Sequence, residues 1–262
     1  PPEKLNNIQD EAPARPPVLC AGCPHRGTYY VLKKLKLSVF GDIGCYTLGA
    51  LAPLESMNTC VCMGASVGVA HGMEKALGKE KSRKSVAVIG DSTFIHSGIT
   101  GLIDMVYNKG TGTVIILDNS ITGMTGHQHN PATGFTIKGE PTKQVDLLKL
   151  CQAIGIDRVR VCDPFDLAGF EKAVREEIEA DEPSVIIAQR PCALLKNVKF
   201  GPILSIDQDK CTKCRMCMRL GCPAIVDRGD HIEINPTQCV GCDLCTKVCR
   251  FGAIGKAGGK DE

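Results

Sequence analysis

The sequence contains the same four-cysteine pattern twice near its C-terminal end, and this repeat constrains the fold of that segment more than any other feature. Three cysteines are spaced C-x2-C-x2-C in both copies, and a fourth follows: Cys211, Cys214, Cys217 and Cys222, then Cys239, Cys242, Cys245 and Cys249. Runs of this kind hold two 4Fe-4S clusters, and the fourth cysteine of each run binds the cluster of the other run. The repeat therefore predicts a small domain in which electrons pass between neighbouring clusters.

The crossed ligation assigns four ligands to each cluster. Cluster one is expected to bind Cys211, Cys214, Cys217 and Cys249, and cluster two to bind Cys239, Cys242, Cys245 and Cys222. A pair of zinc sites is the alternative, but zinc ribbons use two separated CxxC pairs. Pro223 after the first run favours iron and sulfide. A longer spacer before Cys222, and Arg250 in place of the proline usual in bacterial ferredoxins, change the loops without removing a ligand.

Composition limits the remaining possibilities. The 262 residues fit one large domain, or a medium domain plus a small one. The formal net charge is +2 and no basic stretch is interleaved with aromatic residues, so nucleic-acid binding is not indicated. No apolar run is long enough to span a membrane, and no signal peptide opens the chain. Eight of the 16 cysteines have cluster spacing, which favours a reducing cytoplasm over a disulfide-bonded secreted protein.

The pattern of the chain indicates three parts. Residues 1–17 are polar and rich in proline, as in a linker, and the sequence starts at Pro1, so we expect a longer protein whose N-terminal part is missing here. Residues 18–200 and 201–262 are the predicted larger domain and the two-cluster, ferredoxin-like α+β domain. In the larger domain, short β-branched runs alternate with helical stretches, which predicts an α/β fold with a parallel sheet and helices on both faces. The predicted strands are 86–90, 113–117 and 184–188, and the predicted helices are 64–77, 98–108, 142–153 and 166–180.

Two polar loops follow two of these strands. Gly90-Asp91-Ser92 comes after one strand, and Asp118-Asn119-Ser120-Ile121-Thr122-Gly123 comes after the next. Ligands in parallel α/β folds bind beyond the carboxyl ends of the strands, where Asp91 and Asn119 would meet. A carboxylate, an amide oxygen and a backbone carbonyl, together with the oxygens of a diphosphate, form a typical magnesium site. Gly-Asp-Ser alone is a common turn, but the spacing and the strand ends favour the thiamine-diphosphate motif.

Several segments together resemble one enzyme family. They are LCAGCPHR (19–26), GDIGCY (41–46), CMGAS (62–66), GDSTF (90–94) and TGMTG (122–126). They resemble the C-terminal half of the α subunit of indolepyruvate ferredoxin oxidoreductase, one of the thiamine-diphosphate-dependent 2-oxoacid:ferredoxin oxidoreductases. The resemblance runs from about Val18 to Ile254. It also covers the order of a thiamine-binding domain followed by a ferredoxin domain.

The resemblance implies oxidative decarboxylation of aryl 2-oxoacids, with the acyl group transferred to coenzyme A and the electrons passed through the clusters to an external ferredoxin. It further implies a β subunit, an N-terminal α-subunit domain that is not in this sequence, a heterotetramer of two αβ units, and an anaerobic cytoplasm. Three alternatives remain open: an oxidoreductase for another 2-oxoacid, a non-oxidative thiamine-dependent decarboxylase, and a module that only carries electrons. A decarboxylase needs no electron outlet, and a bare carrier needs no thiamine loops.

The resemblance also implies roles for individual residues. Asp91, Asn119 and the carbonyl of Ile121 would bind Mg²⁺. The residues expected beside the diphosphate are Gly44, Gly90, Ser92, Thr122 and Gly123. A third cluster, here called the proximal cluster, would be held by Cys20, Cys23, Cys45 and Cys192; the alternative is that these are ordinary reduced thiols. His25 and His127 are candidate catalytic residues, and His96 and His129 are weaker ones, although each histidine could simply be a solvent-exposed or hydrogen-bonding residue.

Overall fold

A computed structural model describes residues 16–257, so that most of the predicted linker lies outside the described residues. Its larger domain is built on a six-stranded sheet in which every neighbouring pair of strands is parallel. The strands are β1 (Ser38–Gly41), β2 (Thr59–Cys60), β3 (Ser85–Gly90), β4 (Thr113–Asp118), β5 (Arg158–Cys162) and β6 (Ser184–Gln189). Their order in the sheet is β2-β1-β3-β4-β6-β5. The carboxyl ends of β3 and β4, which carry the two polar loops, are therefore adjacent.

Seven α-helical segments connect and cover these strands. They are α1 (His25–Leu35), α2 (Ala65–Leu77), α3 (Lys79–Ser82), α4 (Asp91–Thr93), α5 (Ile99–Tyr107), α6 (Leu147–Ile154) and α7 (Leu167–Ile178). A π-helical turn, Phe94–Gly98, joins α4 to α5. Helix α4 thus begins directly at the end of β3, and its first residue is Asp91.

The central strands are buried on both faces. Val86 and Val88 of β3 belong to one hydrophobic cluster with residues of α1 and α7, whereas Ala87 and Ile89 belong to a second cluster with residues of α2, α5 and α6. Successive side chains of a strand point to opposite faces, so a strand covered on both sides reads as a continuous apolar run. This arrangement confirms the predicted parallel sheet with helices on both faces.

The structure corrects some predicted boundaries. The helix predicted from residue 142 begins at Leu147, because Asp146 caps it by accepting a hydrogen bond from the Lys149 amide at 3.1 Å. Strands β1, β2 and β5 and helices α1, α3 and α4 were not predicted. Strand β5 lies at the edge of the sheet and carries two arginines; one of them, Arg158, donates a hydrogen bond to Glu177 at 2.8 Å. It therefore lacks the apolar run by which the central strands are recognised.

The cysteine runs lie in a second, smaller layer of short strands. These are β7 (Leu204–Ile206), β8 (Ile225–Asp227), β9 (Ile232–Ile234) and β10 (Ile254–Lys256). Strand β7 pairs antiparallel with β10, and β8 pairs antiparallel with β9. Each cysteine run is thus flanked by two strands, in agreement with the internal repeat in the sequence. A 3-10 helix, Cys217–Leu220, lies within the first run, between its third cysteine and Cys222.

The two domains pack against each other. Phe165 of the larger domain belongs to the same hydrophobic cluster as Leu220, Leu244 and Val248 of the cysteine-rich domain. In the part of the chain that the structure describes, no helix has the length and apolar character needed to cross a membrane.

Candidate functional site

Two carboxylates meet where β3 and β4 end. Gly90 is paired with Leu117 in the sheet, which places Asp91 beside Asp118. Asp91 is only 3% exposed. Its Oδ1 accepts a hydrogen bond from the Ser92 amide at 2.7 Å, whereas its Oδ2 has no hydrogen-bond partner among the described residues. Burial, and then the nearby negative charge of Asp118, raises the pKa of Asp91 to about 7.

This arrangement fits a bound cation. A buried carboxylate oxygen without a partner is costly, and a metal ion in contact with it would remove that cost. The chemistry of the donor set, an aspartate, an asparagine amide and backbone carbonyls, is that of a hard-oxygen site for Mg²⁺. Asp91 and Asn119 lie at the ends of adjacent strands, as predicted.

The loop after β4 is held in a compact shape. The Ser120 amide donates to Asp118 Oδ1 at 2.9 Å, and Ser120 itself has a φ of 60°. Thr122 and Gln128 exchange two backbone hydrogen bonds of 3.0 and 3.2 Å, which close the segment between them. Asn130 donates a 3.4 Å hydrogen bond to the hydroxyl of Thr122. The TGMTG segment is therefore a closed loop beside the predicted metal site.

Two of the glycines predicted beside the diphosphate leave room for an aromatic ring. A side chain on Gly90 would place its Cβ 2.8 Å from Cε1 of Tyr46, and a side chain on Gly44 would also collide with this ring. Gly123 lies on the other side, where a Cβ would be 3.4 Å from Cys45 Sγ and 3.7 Å from Asn119 Nδ2. The loop that contains Gly44 and Cys45 is thus adjacent to the loop that contains Asn119 and Gly123.

The structure brings together the four cysteines of the predicted proximal cluster. Burial raises the pKa of Cys23 to about 12, and the thiols of Cys20 and Cys192 act on it in the same direction. The pKa of Cys45 is also raised, first by burial and then by Cys192 and Cys20. The Cys192 amide donates a 2.9 Å hydrogen bond to the carbonyl of Asn119. The four thiols therefore lie next to the predicted magnesium loop.

The ligand sets predicted for the other two clusters are also gathered. One small cavity is lined by the cysteines assigned to cluster one, Cys211, Cys214, Cys217 and Cys249. For cluster two, burial raises the pKa of Cys245 to about 12, and Cys242, Cys222 and Cys239 raise it further. Both sets include the cysteine from the opposite run. The amides of Leu204 and Gly241 point to Cys239 Sγ at 3.5 and 3.4 Å, and hydrogen bonds to sulfur tune cluster potentials.

Between residues 16 and 257, no group of three or more histidine, cysteine or acidic side chains is close enough to hold a single metal ion. A cubane distributes its four thiolates over four iron atoms, whereas one zinc ion holds all four in its own coordination shell. The proposed magnesium site draws on an amide and a carbonyl, and only one of its protein ligands is a carboxylate.

The histidines differ in their surroundings. His25 is buried, which lowers its pKa to about 4, so that its ring is neutral at physiological pH. Its ring lies edge-on to Tyr46 with centroids 6.0 Å apart. His127 is exposed and has a φ of 63°. The weaker candidates have hydroxyl partners: His96 Nδ1 is 3.0 Å from Ser97 Oγ, and His129 Nδ1 is 3.1 Å from Thr133 Oγ1.

The sequence analysis missed four buried polar residues around this site. The sequence analysis quoted Asp118 in the loop motif but gave it no role, although its position at the carboxyl end of β4 places it beside Asp91. Asp42 is fully buried and accepts hydrogen bonds from the amide and hydroxyl of Ser66 at 2.7 and 2.8 Å. Asn130 and Arg26 are also buried. No short motif in the sequence distinguishes Asn130 from an ordinary loop residue.

Two protein-family models match this chain. The model of the thiamine pyrophosphate enzyme C-terminal TPP-binding domain matches residues 42–188, and that of the 4Fe-4S dicluster domain matches residues 203–250. The indolepyruvate oxidoreductase subunit IorA of Pyrococcus horikoshii is 39% identical over 97% of this chain and 42% of its own length. The IorA subunit of Archaeoglobus fulgidus is 41% identical over 93% of this chain and 40% of its own length. The chain thus spans about two fifths of these curated relatives.

A solved structure shows the same fold. It is a 2-oxoglutarate:ferredoxin oxidoreductase from Magnetococcus marinus with 2-oxoglutarate, coenzyme A and succinyl-CoA bound, which aligns with a TM-score of 0.58 and 19% identity over 75% of this chain and 72% of that chain. The predicted fold and the predicted resemblance to the indolepyruvate oxidoreductase subunit are both confirmed. The chain belongs to the thiamine pyrophosphate enzyme family, of which it contains the C-terminal TPP-binding domain, and it continues into a 4Fe-4S dicluster domain.

Proposed function

We propose that this chain is the thiamine-binding and electron-carrying part of a 2-oxoacid:ferredoxin oxidoreductase that acts on aryl 2-oxoacids of the indolepyruvate and phenylpyruvate type. The acyl product passes to coenzyme A, and the electrons pass to a ferredoxin. The observation that carries the proposal is the 2.9 Å hydrogen bond from the Cys192 amide to the Asn119 carbonyl. It joins the predicted magnesium loop directly to a group of four thiols. The cofactor site and the start of an electron path thus share one loop.

Residues at the ends of β3 and β4 are proposed to bind and orient the cofactor. Thiamine diphosphate, when bound, acts as the electron sink for decarboxylation of a 2-oxoacid. Asp91, Asn119 and the carbonyl of Ile121 hold Mg²⁺, which fixes the diphosphate at the strand ends. Ser92 and Thr122 contact the same diphosphate. These residues bind and orient the cofactor; the chemistry at the substrate carbon also needs the rest of the active site.

Two histidines are proposed to face the substrate side. His25 is neutral because it is buried, so that it can donate or accept one proton in a hydrogen bond without adding charge. His127 lies on the closed loop after Gly123 and is exposed in this chain, where a further domain or subunit can cover it. Gly44, Gly90 and Gly123 are proposed to lie beside the diphosphate, and Gly44 and Gly90 also leave room for the ring of Tyr46.

The proposed electron path uses twelve cysteines. Cys20, Cys23, Cys45 and Cys192 would hold the proximal cluster, which would supply a one-electron relay between the cofactor and the clusters held by the other eight cysteines. A ferredoxin is the external acceptor. The proposed assembly contains this chain, an N-terminal α-subunit domain and a β subunit, in two copies, in an anaerobic cytoplasm.

Two anaerobic measurements on the complete enzyme test this function. Iron and acid-labile sulfide analysis should give about twelve irons per copy of this chain for three 4Fe-4S clusters. About eight per copy would remove the proximal cluster from the proposal. Indolepyruvate with coenzyme A should reduce a low-potential dye and form the acyl-CoA. Formation of the aldehyde without dye reduction would identify a non-oxidative decarboxylase instead. Faster turnover of 2-oxoglutarate than of indolepyruvate would refute the aryl preference.

A further inference from the structure

Arg26 is a buried cation that connects the two domains. It lies in the first turn of α1, follows the CxxC of Cys20 and Cys23 closely, and is 2% exposed. Its guanidinium donates hydrogen bonds to the carbonyls of Leu19 and Cys20 in the larger domain. It also donates to Leu220 O at 2.8 Å and to Gly221 O at 2.5 Å in the cysteine-rich domain.

The charge of Arg26 has no carboxylate counterpart within the described residues; all of its hydrogen-bond acceptors there are backbone carbonyls. Burial lowers the pKa of Arg26, and the groups that raise it are thiols, Cys222 and Cys23 first and then Cys20 and Cys242. Two of these thiols belong to the predicted proximal cluster and two to cluster two. A buried charge without a counter-charge is destabilising. An anionic group on each side of this guanidinium would compensate its charge.

We propose that Arg26 is a positioning residue between the proximal cluster and cluster two, whose charge stabilises the reduced state of both clusters and whose hydrogen bonds fix the gap between them. A cubane held by four thiolates is anionic, and it becomes more negative when it gains an electron. A nearby fixed cation in a water-poor environment favours that gain. The inference depends on the proposed function, because it requires the proximal cluster.

Contacts around Arg26 also assign the order of the clusters. Gly22, between Cys20 and Cys23, packs so closely on the loop between Cys239 and Cys242 that a Cβ on Gly22 would lie 2.7 Å from Val240 Cγ2. Cluster two is therefore the inner neighbour of the proximal cluster. Cys214 in the ligand set of cluster one is exposed, which makes cluster one the outer member of the proposed path. An electron that leaves the reduced proximal cluster would pass to cluster two, then to cluster one, and then to the ferredoxin of the proposed function.

The test is an anaerobic redox titration of the complete enzyme, followed by electron paramagnetic resonance. Arg26→Met removes the charge and keeps a long side chain. It should lower the equilibrium constant for reduction of both the proximal cluster and cluster two at least tenfold, which is about 59 mV for a one-electron couple. Cluster one is the internal control, and its equilibrium constant for reduction should change less than threefold.

Arg26→Lys separates charge from docking. A lysine keeps the cation but cannot reproduce a planar fork that reaches carbonyls in two domains. The equilibrium constants for reduction of its clusters should stay within threefold of those of the parent enzyme, while hydrogen exchange of the 3-10 helix Cys217–Leu220 accelerates at least tenfold. A merely structural role for Arg26 would lower the potentials in Arg26→Lys as much as in Arg26→Met.

Three results would overturn the proposal. They are unchanged potentials in Arg26→Met, an equal shift of the potentials of all three clusters in Arg26→Met, and a tenfold fall of the equilibrium constants for reduction in Arg26→Lys. If Arg26→Met does not assemble its clusters, Arg26→Lys decides alone, because a retained potential with faster exchange supports the proposal and a lost potential refutes it. Iron analysis of the parent enzyme distinguishes failure of the proposed function from failure of the proposed role of Arg26. About eight irons per copy of this chain would refute the proximal cluster of the proposed function, whereas about twelve per copy with unchanged potentials would refute only the role of Arg26.

Discussion

The crossed ligation can be tested by one substitution in the first cysteine run. Cys222 belongs to that run in sequence, but in the structure it is among the neighbours of Cys245, together with Cys239 and Cys242. It does not line the cavity formed by Cys211, Cys214, Cys217 and Cys249. We therefore expect Cys222→Ser to damage cluster two and to leave cluster one intact.

The expected size follows from the cluster stoichiometry. Each 4Fe-4S cluster contains four irons and four protein ligands, so that loss of cluster two would remove about four irons, and loss of one corner iron would remove about one. The assay is anaerobic iron and sulfide analysis, with electron paramagnetic resonance of the reduced protein. Unchanged iron content and an unchanged spectrum would refute the assignment of Cys222 as a ligand.

Two reference variants identify which cluster is affected. Cys239→Ser disturbs cluster two whether or not the fourth ligands are exchanged, and Cys211→Ser likewise disturbs cluster one. Under crossed ligation the spectrum of Cys222→Ser matches that of Cys239→Ser, and Cys249→Ser matches Cys211→Ser. The opposite match, Cys222→Ser with Cys211→Ser, would refute the geometric reasoning.

Two further substitutions test the thiamine site. Asp91→Ala should abolish binding of Mg²⁺ and thiamine diphosphate in isothermal titration calorimetry, because it removes the buried carboxylate at the end of β3. The iron content should stay unchanged. Joint loss of cofactor and iron would show that the two sites are not separable. Gly90→Ala should weaken cofactor binding and destabilise the fold by about 1–3 kcal/mol in denaturant unfolding, since its Cβ would lie 2.8 Å from Tyr46. Gly68→Ala, where a Cβ meets nothing within 4 Å, is the matched control and should stabilise α2 by about 0.5–1 kcal/mol; equal destabilisation by both would rule out the clash with Tyr46.

The sequence predicted those parts of the molecule whose physical cause is local. Strands β3, β4 and β6 are continuous apolar runs because helices cover both of their faces, and the cysteine spacing follows from the small volume around a cubane. Asp91 and Asn119 were predicted to lie close together because parallel strands bring their carboxyl ends to one edge. Edge strand β5 was missed because its arginines pair with glutamates of α7, which breaks the apolar pattern.

Polar contacts between residues far apart in the chain could not be predicted from the sequence. Arg26 donates hydrogen bonds to Leu220 and Gly221, which are 194 and 195 positions away. Its neighbours Cys20 and Cys23 suggested a cluster ligand pair, but nothing in that segment indicates that the following arginine is buried against another domain. Asn130 likewise becomes significant only when the loop folds back on Thr122.

The pairing of β7 with β10 has a consequence for biosynthesis. In the described residues the first strand of the cysteine-rich domain pairs with the last strand, Ile254–Lys256, and the proposed ligand set of cluster one includes Cys249 in addition to the first run. During translation the first run therefore leaves the ribosome without its fourth ligand or its partner strand. Iron insertion should wait until the whole domain has emerged, and a chain that stops before β10 should be a target for proteolysis.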